Sequence, residues 1–247
     1  MGRLKSTVGG LVGFPLLLLL AGHPLGAQEP EEVAPSIPRE GEKEEAPPPA
    51  PIVEDLGDER YRIRNIVVEK RLKRFTVPGT ILREEPPLEF LAVTKGGLKA
   101  YESLVELETD AYEFNTACIL IGLDPDHGRA PRAHFDPQPS EGDPVDIWIS
   151  WNENGKASRV EAADLVRRGE MTLPRGDWVY TGSILTPEGK YLAQLDGTLI
   201  GFVHDPSSII EHRAGFGMGD WGSVGPNPSL LPAVGTRVTL TVERRGE

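Results

Sequence analysis

The chain of 247 residues holds a single cysteine, Cys118, and only 6% of its side chains are aromatic. One cysteine excludes an intramolecular disulfide and any zinc or iron–sulfur site built on four thiolates. Cations are also scarce: 26 Lys and Arg stand against 38 Asp and Glu, a formal net charge of -12. Nonspecific nucleic-acid affinity comes from Lys and Arg neutralising phosphates, so no nucleic-acid partner is expected. The one basic cluster, Lys70, Arg71, Lys73 and Arg74, is expected to be a solvated strand face. No apolar run reaches the roughly 20 residues of a spanning helix. There is no internal repeat, no serine nucleophile elbow and no paired-histidine metalloprotease helix.

What is present begins with an address. Arg3 and Lys5 precede an apolar run over residues 11–21, and Gly22, Pro24, Gly26 and Ala27 follow it. Charge, apolar core and small residues in that order form an export signal, expected over residues 1–27. The protein is therefore expected to be exported, periplasmic or extracellular, and to touch a membrane only if the signal stays uncleaved. Residues 28–57 carry nine acids against Arg39 and Lys43, and include the tract EKEEAPPPAP. So few apolar groups cannot offset chain entropy, which predicts a disordered, acidic, proline-rich linker. Residues 58–247 are expected to form a single mostly-β globular domain.

Period-two patterns dominate that domain. Val145, Ile147, Ile149 and Trp151 alternate with polar residues, and Asn154-Gly155 offers a hairpin turn back through Val160. Further strands are expected over residues 61–69, 88–94, 100–107, 178–185, 191–195, 199–203 and 236–243. Ala111, Phe114, Ala117, Cys118 and Ile121 fall at helical spacing, with Asp110 and Glu113 placed as a capping box and Gly122 as a stop. A short second helix is expected from Asp205-Pro206 through Ile210. The expected fold is α+β: a largely antiparallel β-sheet, laid out as a meander, with one packed helix and a short second helix.

Three stretches, KGGLKAYESLVE (95–106), DWVYTGS (177–183) and PNPSLLPAVGTRVT (226–239), together resemble the YdjY-domain family of bacterial exported proteins, over residues 85–242. The resemblance implies no established activity and carries over no catalytic residue. Some members are labelled ferredoxin-like, which would imply an iron–sulfur protein, and the single cysteine departs from that label. Glu102, Ser103, Trp178, Gly182 and Ser183 are the matching motif positions. Trp178 and Tyr180 read as core-facing strand residues and Gly182 as a close-approach site. Glu102 is expected to be solvent-facing or paired, the alternative being a buried carboxylate suited to acid–base chemistry.

The long stretch over residues 123–144 gathers Asp124, Asp126, His127, His134 and Asp136. Carboxylates and imidazoles are ligands for calcium or a borderline metal, but their spacing is irregular, so a polar surface loop is the first reading. Gly217, Gly219 and Gly222 have dinucleotide-fingerprint spacing but run into Pro226 and Pro228, where no helix can begin. Asp220 and Trp221 beside them form a candidate contact loop. His204 and His212 read as surface residues, and Cys118 as a buried small hydrophobe.

No catalytic constellation emerges and no cofactor is expected. The leading expectation is a non-enzymatic exported binding or accessory module whose partner is an envelope protein or a small ligand. One alternative is a metal- or carboxylate-dependent envelope enzyme built from Glu102, Asp220 and the Asp/His loop. Another is an accessory to exported redox machinery.

Overall fold

A computed structural model describes residues 50–217 and 222–246. The export signal, the linker as far as residue 49, and the pair Asp220 and Trp221 lie outside them. β1 (Glu54–Gly57), the last four residues of the expected linker, leads to β2 (Arg60–Ile63), β3 (Ile66–Glu69) and β4 (Arg74–Ile81). β5 (Phe90–Thr94) and β6 (Ser103–Leu107) follow, then helix α1 (Ala111–Leu120). β7 (Asp143–Glu153) and β8 (Lys156–Glu161) make a hairpin, succeeded by β9 (Val166–Arg168), β10 (Met171–Thr172) and β11 (Trp178–Tyr180). Helix α2 (Leu192–Asp196) precedes β12 (Thr198–Gly201), β13 (Ile210–His212), β14 (Val224–Pro226) and β15 (Arg237–Arg244). No described helix is long and apolar enough to cross a membrane.

The strands do not form a simple meander. They pair in the order β4, β15, β7, β11, β13, β12, β5, β6, and β6 pairs back onto β4, closing a barrel of eight strands. It is a mixed barrel: β5 with β6 and β12 with β13 run parallel, and the remaining ring pairs are antiparallel. The antiparallel-meander expectation fails at these two connections. Gly96-Gly97 does not turn a hairpin but opens a crossover through a short 3₁₀ turn at Ala100–Glu102. β1, β2 and β3 extend the sheet beyond β4, and β9 with β10 and β14 makes a separate three-stranded sheet.

The β7–β8 hairpin matches its sequence signal, with Asn154 and Gly155 both at positive φ, as a type I′ turn requires. Other local expectations need correction. Residues 191–195 are not a returning strand: they enter α2, which ends at Gly197 in the left-handed conformation. No helix starts at Asp205-Pro206; that segment is a turn, and Ile210 begins β13. Asp205 still caps, but it caps the turn, by accepting from the backbone N–H of Ser207.

The core fills the barrel. Phe75, Val77, Ile147, Ile149, Leu240 and Val242 are all fully buried and stand opposite one another across β4, β15 and β7. Asp110 and Glu113 form the expected capping box at the start of α1. Phe114 meets the edge of Phe75 on β4 at 5.2 Å. One residue on, Asn115 accepts from the Tyr180 hydroxyl on β11 at 2.7 Å. β4 and β11 stand three strands apart around the ring, so α1 ties distant staves together. Truncating Phe114→Ala is expected to lower stability by about 3–5 kcal/mol, read from the urea unfolding midpoint. A loss below about 1 kcal/mol would mean the helix is not part of the barrel core.

Candidate functional site

The crossover from β5 to β6 positions one cluster. Ser103 donates to the Lys99 carbonyl oxygen at 2.7 Å, and the Lys99 ammonium donates to Glu102 at 2.9 Å while lying near the rings of Phe90 and Tyr101. Glu102 is therefore paired, yet it is also buried, as the alternative had it, and it sits in the 3₁₀ turn and not on a strand face. Its backbone carbonyl oxygen accepts from the N–H of Glu89, a residue the sequence reading did not single out. Glu89 is only 2% exposed, and its carboxylate meets His134 Nε2 at 3.0 Å. Burial pushes the Glu89 carboxyl above its ordinary range, and the neighbouring Glu102 carboxylate pushes the same way. Two expected site residues, Glu102 and His134, thus converge through a third.

The other Asp/His loop residues lie elsewhere. Asp124 caps a 3₁₀ turn at Pro125–His127, and His127 Nδ1 meets Asp143 at 2.8 Å. That hydrogen bond, then the Asp143 charge, raises the His127 pKa. Asp136 accepts from the backbone of Arg132 and Gln138, and Asp126 is exposed. Among the described residues no three His, Cys, Asp or Glu side chains are placed to hold a metal ion. These carboxylates shape turns.

Several polar groups are sealed inside. His204 and His212 are buried, not superficial. His212 Nε2 faces the Pro174 carbonyl oxygen while Nδ1 accepts from the Gly215 N–H, which fixes a neutral ring; burial lowers its pKa accordingly. Glu211 is fully buried, Oε2 has no hydrogen-bond partner among the described residues, and burial pushes its carboxyl well above the usual range. Gly201 leaves room for it: a Cβ there would stand 2.8 Å from Glu211 Oε1. Cys118 is buried as expected, and burial pushes its thiol up.

The outside of the sheet is different. By alternation with Ile147 and Ile149, the side chains of Asp146, Trp148 and Ser150 face outward, in register with Glu243, Thr241 and Thr239 of β15. Arg159 of β8 lies 4.4 Å over the Trp148 ring and pairs with Glu243 at 3.2 Å. A cleft of about 600 Å³ opens here, lined by Trp148, Arg159, Glu161, Arg175, Leu230 and Arg245 among others. A second of about 580 Å³ adjoins it, sharing Arg159. The Trp148 indole N–H is buried and has no hydrogen-bond partner among the described residues. Sequence reasoning missed this face, although Trp148 within a run of alternating residues is a visible signal.

The YdjY domain family model matches residues 66–243. The chain belongs to the YdjY family. No curated protein and no solved structure matches it. The YdjY region runs from β3 to within β15 and so contains almost the whole barrel and the site residues described above except Arg245. Its motif positions have structural tasks: Trp178 donates to the buried Glu161 at 3.1 Å, and a Cβ on Gly182 would stand 3.3 Å from the Pro125 side chain, at a positive φ that suits glycine. Ser183 donates to the Pro206 carbonyl oxygen.

A raised carboxyl pKa in the folded state means that the fold binds that proton more tightly than the unfolded chain does. Glu211 therefore costs stability as pH rises from the ordinary carboxylate range through its folded value. Glu211→Gln is expected to stabilise the YdjY domain at pH 8 by about 1–3 kcal/mol, the cost of an unpaired buried acceptor, with a smaller gain in acid. Equal thermal midpoints of variant and wild type at pH 8 would contradict this.

Proposed function

We propose that this protein is an exported, non-enzymatic binding module that engages an envelope protein or small ligand through the outer face of its barrel. The observation that carries the reading is the pair of adjoining clefts joined at Arg159, where four guanidinium groups, the Trp148 ring and Leu230 line an open surface. The guanidinium N–H groups left over from the ion pairs with Glu243, Asp164, Asp146 and Glu108 suit a partner rich in acceptors, and a large aromatic under an arginine is the chemistry of an interface anchor. Catalytic reactivity is not what the buried polar groups favour: Cys118, His204, His212 and Glu211 are buried, and the two histidines are held by backbone groups. The acidic segment over residues 28–49 would act as a tether between the domain and the exported N-terminus.

A second reading, acid–base chemistry, is favoured by one observation: Glu89 and Glu102 are buried close together, with Lys99 paired to Glu102 and His134 to Glu89. The two readings separate in a crosslinking pulldown of tagged full-length protein from its native envelope fraction. Arg159→Glu is expected to abolish a reproducible partner that Glu102→Gln retains. A partner retained by Arg159→Glu would contradict the outer-face reading, and one lost only in Glu102→Gln would move the contact to the carboxylate pair.

A further inference from the structure

Among the described residues, two strands of the large sheet have a neighbour on one side only: β1, and β8, which branches off β7 beside the barrel. β1 is guarded. Its register slips between Asp55 and Gly57, and the Asp55 carboxylate accepts from the Gly57 N–H at 2.8 Å, so that the edge is both bulged and acidic and resists further pairing. In the small sheet the outer strands β10 and β14 are two and three residues long. β8 differs from all of these. Its six residues pair with β7 without a slip, from Lys156 with Glu153 to Glu161 with Trp148.

The hairpin fixes which backbone groups of β8 point away from β7. A two-residue type I′ turn is closed by a hydrogen-bonded pair, here Glu153 with Lys156, and bonded pairs alternate along the ladder from there. Lys156, Ser158 and Val160 therefore face β7. Ala157 and Arg159 turn their N–H and carbonyl groups outward, and among the described residues no backbone group meets them. Both residues are exposed, and the open edge ends at Glu161, which is buried. Edge strands are commonly blocked by a charged side chain standing over the backbone. Arg159 is drawn back instead: it lies over the Trp148 ring and reaches Glu243 on β15, two strands away.

We propose that the free edge of β8 takes up an extended, acidic segment of a partner polypeptide as an added strand. This rests on the outer-face reading and names the chemistry of the partner there. Main-chain hydrogen bonds to Ala157 and Arg159 hold the segment, and its side chains at alternate positions meet the outer face. The charge that fits is negative. Among the described residues lining the second cleft, Arg159 and Arg237 are the charged ones, and their acids Glu243 and Glu108 lie outside its wall. A carboxylate opposite Arg159 meets a guanidinium group directly, whereas a cation there is repelled. Ala157, two residues earlier on the same face, leaves room for a large side chain opposite it.

A displayed library of random dodecapeptides, selected on the full-length protein, supplies the probe. Enriched peptides are expected to carry an acid among β-branched or aromatic residues, and replacing that acid by lysine should weaken binding about fivefold, an attractive cross-strand pair turned repulsive. Saturating peptide should slow hydrogen exchange at the Ala157 and Arg159 amides about tenfold, the effect of one backbone hydrogen bond. Ser158 and Val160, already bonded to β7, should change little. Ala157→Pro removes an outward N–H and nothing from the β7 ladder, so it should lose the peptides and keep its thermal midpoint. The exchange measurement, made on the wild type, decides even where the proline variant unfolds. Peptides lost in Arg159→Glu but kept by Ala157→Pro, or exchange at Ala157 and Arg159 unchanged by bound peptide, would overturn strand addition and leave the outer face standing. No enrichment would also overturn strand addition, and binding kept by both variants would remove the outer face as well.

Discussion

Gly79 with Leu107, Thr80 with Glu106 and Ile81 with Val105 are the residue pairs that turn an open sheet into a barrel. Without them β4 and β6 would both present unpaired backbone, a liability that closure removes. The approach is tight enough to require glycine: a Cβ on Gly79 would stand 2.6 Å from the Glu106 carbonyl oxygen and 2.7 Å from Leu107. Closure then decides which groups meet solvent. Phe75, Val77, Ile147 and Leu240 are confined to an interior that α1 helps to fill. The residues alternating with them form the outer face where Trp148 and Arg159 lie.

How much of this was legible depended on sequence distance. The β7–β8 hairpin, β15 and α1 with its capping box rest on near neighbours, and they stand where periodicity and turn residues placed them. β4, the strand that closes the ring, received no strand expectation because Pro78-Gly79 interrupts its apolar alternation. In the structure Pro78 falls where one edge of β4 changes partner from β3 to β6, so a missing N–H does little harm there. The parallel pairs were hidden for another reason. Eight residues separate β5 from β6, fewer than the dozen or more that a parallel crossover usually takes, so a glycine pair between two strands reads first as a hairpin.

The polar sites divide in the same way. Glu102 was visible as one carboxylate among apolar residues, and its pairing follows from Lys99 three residues before it. Glu89 carries the same signal, a lone acid within Leu88, Phe90 and Leu91, yet its importance emerges only when the loop after α1 brings His134 to it from far along the chain. His204 and His212 looked superficial because acids flank them. Their actual environment is backbone carbonyl oxygens and amides supplied by distant turns, which no local pattern encodes. The family match adds membership without activity, so the functional reading rests on the outer face and on how the buried groups are held.

The central claim is the closed ring, and β4–β6 contact tests it most directly. Gly79–Leu107 and Ile81–Val105 alternate with hydrogen-bonded positions such as Leu82 N–H to the Leu104 carbonyl oxygen at 2.8 Å. Their α-protons therefore face each other closely. Nuclear Overhauser contacts between the α-protons of Gly79 and Leu107, and of Ile81 and Val105, are predicted for the intact protein. Their absence, with β4 and β6 amides exchanging as fast as those of an edge strand, would contradict the barrel and everything built on it.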